Sequence, residues 1–467
     1  MNSQEFRKEA HRLVDWMADY LEEVEQYPVK SPQAPGDLLK QLPAASPEKG
    51  EAFSTIFSDF QSLVMPGITH WQSPNFFAYF PANSSYPSVL AEMLTATLGA
   101  QCMIWETSPA AAELEERMME WIRDMMGLPK DFTGVIQDTA STATLCAILS
   151  AREKASGFTL NHTGFTGNEK YTIYCSSQTH SSIDKAVRIA GIGSDQLRKV
   201  AVDSEFAMRP DALEAHIKED IALGYTPLCV VAATGTTSST AMDPVSAIGE
   251  ICQRYNLWLH VDAAYAGTAT ILPEKRWIIE GVEMADSYVF NPHKWMFTNF
   301  DCTAYYVKDK GALIRTFEIL PEYLKTKTDH IVNNYRDWGV PLGRRFRALK
   351  LWFVIRSYGK EGIQKRLREH ISYAQYFEEE IQKRLGAKIL APTHLNLVCL
   401  QLQKPGHNTE ALNAYNAEIL QKINDSGKAY LTHTKLNGVY CIRVVFGQTY
   451  LQHRHVENLL QLFESLV

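Results

Sequence analysis

Two stretches decide the fold: Trp258-Leu-His-Val-Asp262-Ala-Ala-Tyr265 and Ser287-Tyr-Val-Phe-Asn291-Pro-His293-Lys294-Trp295. In each, a run of β-favouring apolar residues stops on polar groups. The first delivers a carboxylate, the second an Asn, a His and a Lys. Around them, from about residue 87 to 350, short β-rich runs alternate with helical ones. Strands are expected at Tyr171–Cys175, Lys199–Val202, Cys229–Thr234, Leu257–Asp262, Ser287–Asn291 and Thr303–Val307. Helical segments such as Thr142–Ala155, Ser182–Ala190 and Pro244–Tyr255 lie between most of them. This alternation predicts an α/β fold, a mostly parallel sheet with helices on both faces. On such sheets, sites gather at the carboxyl ends of the strands.

Outward from this core the pattern changes. Phe6, Ala10, Leu13, Val14, Met17, Leu21 and Val24 recur at helical spacing over residues 5–25, giving one apolar face and a charged back. Pro28, Pro32, Pro35, Pro43 and Pro47 then space an extended stretch. An amphipathic helix on such an arm must dock elsewhere, and a partner subunit is the favoured place. Residues 361–467 read as helix, strands near Leu395–Gln401 and Gly438–Val445, and a closing helix, a small α+β unit. The expected division is therefore 1–86, an N-terminal helical dimerisation arm; 87–360, a large cofactor domain; and 361–467, a small C-terminal domain.

Composition narrows the class. With 46 Lys+Arg against 53 Asp+Glu the net charge is −7, and no basic block suggests nucleic acid as a partner. No apolar run approaches the ~18 residues of a membrane span. The first 25 residues are too charged for a secretory signal. The eight cysteines are scattered, without CxxC or HExxH spacing, so no metal site is expected and the thiols read as reduced and cytoplasmic. His453 and His455 read as surface polar residues of the last helix rather than metal ligands.

Asp262 and Lys294, 32 residues apart on neighbouring strand ends, are what a pyridoxal phosphate site requires. A lysine amine condenses with the cofactor aldehyde. A carboxylate keeps the ring nitrogen protonated, so the ring can take up the electron pair of a broken Cα bond. Either residue alone is a common strand-end or solvated group; the combination is the signal. The phosphate needs free amides at a helix N-terminus, and Gln137-Asp138-Thr139-Ala140-Ser141-Thr142 opens an apolar helix with small and hydroxyl residues. A third strand runs into the small-residue turn Gly235-Thr236-Thr237, and His180 follows the strand at Tyr171–Cys175.

The chain resembles the group II pyridoxal-phosphate decarboxylases, most closely the aromatic L-amino-acid decarboxylases. The resemblance rests on Ser73-Pro-Asn-Phe-Phe-Ala-Tyr-Phe-Pro81, Ser84-Ser-Tyr-Pro87, Ser108-Pro109 with Glu113-Leu-Glu115, and Thr179-His-Ser-Ser182. It continues through His260-Val-Asp-Ala-Ala-Tyr-Ala-Gly267, Asn291-Pro-His-Lys-Trp295, Asn299-Phe-Asp-Cys302 and Pro341-Leu-Gly-Arg-Arg-Phe-Arg347. It implies an aspartate-aminotransferase-like (fold type I) enzyme, a homodimer with shared active sites and a small amino-acid substrate. It also implies that Lys294 carries the cofactor, Asp262 pairs with its ring nitrogen, and His180 and Ala264 cover its two faces. Ala140 and Ser141 would bind the phosphate with Asn291 and His293 nearby, and Thr237 would line the cofactor pocket. Tyr323, in Pro321-Glu-Tyr-Leu-Lys325, matches the family's mobile-loop proton donor, and the polar run Lys325–His330 suits a lid.

The implied substrate pocket comprises Trp71, Tyr79, Phe80, Ala82, Gln101, Met103, His180 and Gly343, with Trp295 as a further aromatic. Four positions depart from the family pattern: Ala82 for a usual Thr, Asp138 for a frequent Gly, and Gln101 and Met103 for Ile and Phe in the segment lent by the second subunit. Decarboxylation of an L-amino acid to its amine, with tyrosine, dopa, tryptophan or phenylalanine as substrate, is the expected reaction. The alternatives are an aromatic aldehyde synthase, in which the loop tyrosine or the stacking histidine is often replaced, an aminotransferase using Arg443, or a decarboxylase of a non-aromatic amino acid. A non-catalytic binding protein is disfavoured by Lys294, Asp262 and Tyr323 together.

Overall fold

The computed structural model describes residues 1–319 and 331–467. Contacts divide the chain into two compact units. One comprises Met1–Pro81, Tyr373–Leu390 and Val398–Val467; the other Ala82–Ser372 and Ala391–Leu397. This differs from the three-way expectation: the N-terminal residues group with the C-terminal ones, because Phe77 packs among Phe377, Phe446 and Val444, and Val29, Phe76 and Ala78 gather against Tyr430.

The larger unit is built on a seven-stranded sheet: β1 Thr133–Gln137, β2 Tyr171–Ser176, β3 Leu197–Val200, β4 Thr226–Ala233, β5 Trp258–Asp262, β6 Ser287–Phe290 and β7 Thr303–Val307. Their order is β1-β7-β6-β5-β4-β2-β3. β3, β2, β4, β5 and β6 run parallel, while β7 is antiparallel to both β6 and β1. The carboxyl ends of β1, β6, β5, β4 and β2 therefore share one edge of the sheet. The strand expected at Lys199–Val202 is Leu197–Val200; Val202 has left the ladder and bridges Met208 instead. β2, β5, β6 and β7 are buried along their whole length, as strands covered on both faces must be.

The smaller unit holds a four-stranded sheet in the order β10-β11-β9-β8, with β8 Lys388–Ile389, β9 Leu397–Gln401, β10 Thr432–Leu436 and β11 Val439–Val445. Helix α1, Ser3–Glu23, begins on an Asn2–Glu5 capping box. Trp16 meets Phe57 and Phe60 edge-on, at 5.7 and 5.4 Å between ring centres. Phe6 and Val14 of the same helix are exposed. His455 is not a surface residue as expected: it is buried, its Nδ1 accepts the Gln452 N–H at 2.9 Å, and its Nε2 lies 3.1 Å from Glu25. That arrangement closes the N-terminal turn of the last helix, whose end would otherwise leave its amides unpaired.

Candidate active site

The strand register assembles the site. Ala233 is opposite Asp262, and Asp262 is opposite Val289. β4, β5 and β6 thus release Gly235–Thr237, Asp262–Ala264 and Asn291–Lys294 side by side. The joins are backbone bonds: Thr234 N–H to the Asp262 carbonyl (2.9 Å), Ala263 N–H to Val289 (2.9 Å) and Asn291 N–H to Ala264 (3.0 Å). Gly235 turns with φ 89°, and a Cβ there would fall 2.5 Å from that of Ala266, so only glycine fits this close approach.

Lys294 sits in the single helical turn Pro292–Trp295. Burial pushes its ammonium below the ordinary lysine range, while the Asp262 carboxylate opposes the shift. Disfavouring the charged form favours the free amine, the form that acts as a nucleophile. Asp262 is buried and its Oδ1 accepts the Ala264 N–H at 3.0 Å, which fixes the carboxylate at the strand end. Behind it, His260 bridges Thr144 Oγ1 (3.1 Å) and Ser287 Oγ (2.9 Å), and burial lowers its pKa to about 4. A neutral imidazole therefore backs the carboxylate.

His180 follows β2. Its Nδ1 accepts the Ser182 N–H at 3.1 Å and lies 2.9 Å from the Ser182 hydroxyl. The proton of the neutral ring is therefore on Nε2. Burial, and then the Lys294 charge, lower its pKa. His293 is held by the Cys302 N–H on Nδ1 (3.0 Å), and burial pushes it down to about 3, so it too is neutral. The Thr303 hydroxyl donates to Asn291 Oδ1 at 2.8 Å and lies 3.1 Å from the Asp138 carbonyl oxygen. It thereby ties the end of β6 to the end of β1.

The larger unit also contains the helices α2 Tyr86–Leu98, α3 Pro109–Met126 and α4 Ala140–Ala155. Thr139 caps α4, its hydroxyl accepting the Thr142 N–H at 3.3 Å, and Ser141 is exposed on the first turn. Gln101 Oε1 accepts the Arg344 N–H at 2.7 Å, and a Cβ on Gly343 would meet Gln101 Nε2 at 3.3 Å. Asn83 carries no motif of its own, yet its side chain donates to the Lys294 carbonyl at 2.8 Å and its N–H to that of His293 at 3.2 Å. Nothing local marks an asparagine some 211 residues from its partner.

In the smaller unit, Trp71 stacks on Tyr79 at 5.7 Å, and the Arg443 guanidinium lies over Phe80 at 5.4 Å while donating to Thr432 Oγ1 at 3.0 Å. Arg443 is thus engaged within its own unit. Tyr323 and Lys325–His330 lie outside the described residues.

These residues fit pyridoxal phosphate: a depressed lysine, a carboxylate fixed beside it, an imidazole, and a hydroxyl-rich helix start. When bound, that cofactor supplies the electron sink for the carbanion left by a broken Cα bond. Among solved structures, Oryza sativa TDC with PLP and tryptamine superposes with a TM-score of 0.96 at 34% identity, covering 100% of this chain and 98% of that one. Phenylacetaldehyde synthase of Arabidopsis thaliana is 41% identical over 100% of this chain and 96% of its own length. Tyrosine decarboxylase 4 of Petroselinum crispum is 42% identical over 98% and 92%. The family model described as the pyridoxal-dependent decarboxylase conserved domain matches residues 35–403, a span holding all seven strands of the larger sheet. Strand ends, depressed lysine and full-length likeness converge: the chain belongs to the pyridoxal-phosphate-dependent amino-acid decarboxylases.

Proposed function

We propose that this enzyme releases carbon dioxide from an aromatic L-amino acid and yields the amine. The observation carrying this reading is the Lys294–Asp262 pair on adjoining strand ends, in a chain that resembles tyrosine decarboxylase over nearly its full length. Lys294 holds the cofactor and yields its place to the substrate amine. Asp262 holds the proton on the cofactor ring nitrogen. His180 and Ala264 cover the two ring faces, Ala140 and Ser141 take the phosphate with Asn291 and His293 nearby, and Thr237 lines the pocket. Trp71, Tyr79, Phe80, Ala82, Gln101, Met103 and Gly343 select the side chain. Tyr323 gives the proton to Cα after carbon dioxide leaves. The working form is a cytoplasmic homodimer with residues 1–86 as its dimerisation arm. Two observations support this: exposed Phe6 and Val14 on α1, and eight free, buried thiols. No described helix is long and apolar enough to cross a membrane.

The aldehyde synthase is the second reading, favoured by the likeness to phenylacetaldehyde synthase and disfavoured by retention of Tyr323 and His180. Purified enzyme is incubated with tyrosine, dopa, tryptophan, phenylalanine, histidine and glutamate, following carbon dioxide, amine, aldehyde, keto acid and peroxide. Equimolar amine and carbon dioxide from an aromatic substrate is the expected result. Aldehyde with stoichiometric peroxide would replace it by the synthase reading, and keto acid without carbon dioxide by transamination. Tyr323→Phe should keep cofactor binding and divert most product to aldehyde; normal amine output would remove Tyr323 as the proton donor.

A further inference from the structure

Asp138 is a full negative charge placed where an anion is to bind. It stands immediately before Thr139, the cap of α4. Its backbone is fixed by the Thr303 hydroxyl, 3.1 Å from its carbonyl oxygen, and its Oδ1 accepts the Thr139 N–H at 2.7 Å. The carboxylate thus occupies the outermost amide of the helix end assigned to the cofactor phosphate. A helix N-terminus offers roughly half a positive charge, and a phosphate monoester brings about −1.5 to −2.

The two cations nearest Asp138 are shared with other carboxylates. Arg347 lines the same small cavity as Asp138, with Gln137, Gly339, Gly343 and Arg344. Its guanidinium, however, is already held by Asp301 at 2.9 and 3.1 Å. Arg344 binds Glu115 and the Ile136 carbonyl, both at 2.7 Å and both through Nη2. His293 is neutral, held on Nδ1 by a backbone amide.

We infer that Asp138 is a built-in competitor of the cofactor phosphate: it caps the helix end in the cofactor-free enzyme and weakens phosphate binding, so that the enzyme exchanges its cofactor readily. The inference rests on the assignment of Ala140 and Ser141 as the phosphate site. It predicts that the penalty belongs to charge and to the phosphate alone.

The test uses apoenzyme titrated with pyridoxal phosphate, with pyridoxal, and with inorganic phosphate as competitor, reading cofactor binding from its absorbance. Asp138→Asn keeps the shape and the acceptor but removes the charge. It should lower the Kd for pyridoxal phosphate by about tenfold or more, since charges a few ångströms apart at a protein surface interact at that scale. Inorganic phosphate should compete correspondingly better, and the Kd for pyridoxal should not move. Asp138→Gly should shift affinity in the same direction, and Asp138→Glu should keep the original Kd. Unchanged or weaker binding of pyridoxal phosphate by both uncharged variants overturns the inference, as does an equal gain for pyridoxal. Ser141→Ala separates the two layers. If it weakens pyridoxal phosphate while Asp138→Asn changes nothing, only the competitor reading fails; if it leaves affinity intact, the phosphate site itself is misassigned and both fall.

Discussion

The turn that carries Lys294 is held by buried neighbours on both sides. The Lys294 carbonyl is held by Asn83, and Trp295 beside it stacks on Tyr265 at 5.1 Å and donates to His370 at 3.0 Å. A side chain so placed is presented at a fixed angle rather than by a mobile loop, which favours reaction by orientation. The same lysine acts on His180 through space. His180 sits below its ordinary value of 6.5 because of burial first and the Lys294 charge second, with Asp262 pulling the other way. Lys294→Ala removes the second cause and leaves Asp262, so the His180 pKa should rise towards 6.5 in the apoenzyme. Titration of the imidazole C–H signals by NMR measures it. An unmoved value would assign the depression to burial and to Lys185. The same variant should show no visible absorbance from covalently held cofactor.

At the scale of elements, the site depends on one buried tie between α3, β1 and the turn before Arg347. Glu115 of α3 accepts the Ile136 N–H of β1 at 2.8 Å and the Arg344 guanidinium at 2.7 Å; Arg344 also donates to the Ile136 carbonyl at 2.7 Å and lies over Tyr335. Both charged partners are buried. Glu115→Ala should therefore cost about 3–5 kcal/mol, the scale expected when one member of a buried pair is removed. The midpoint of chemical unfolding reports it, and a change under about 1 kcal/mol would mean Arg344 finds another acceptor. None of this was readable beforehand. Glu113-Leu-Glu115 stood out as a motif, but i to j pairing across some 229 residues leaves no local trace. By contrast, the strand ends were legible, because an apolar run closing on Asp or on Asn-Pro-His-Lys announces both its period and its stop. At the end of β3 and at His455 the deciding force is tertiary, from a bridge between Val202 and Met208 and from Glu25 beside the imidazole, and neither leaves a local trace.

For the whole molecule, the open question is what covers its exposed apolar surface. Tyr86, Leu90, Leu94 and Leu98 of α2 are all exposed, and their four-residue spacing puts them in one stripe along the helix. Gln101 and Met103, the segment proposed to enter a second active site, follow directly on that helix. An isolated stripe of this length would be unusual on a monomer, whereas a two-fold pair of such helices buries both at once. Leu90→Lys with Leu94→Lys removes two leucines from each protomer, about 6–12 kcal/mol across a symmetric contact if all four were fully buried. If the proposed dimer is built on this stripe, the unsubstituted protein should sediment as a dimer and the double variant as a monomer, and turnover should fall because the Gln101–Met103 segment proposed for the partner's site is withdrawn. Sedimentation velocity and amine formation, followed on the same dilution series, test both links. A double variant that stays dimeric places the interface elsewhere. A monomer with full turnover would leave the dimer intact as an idea but show that each chain completes its own site.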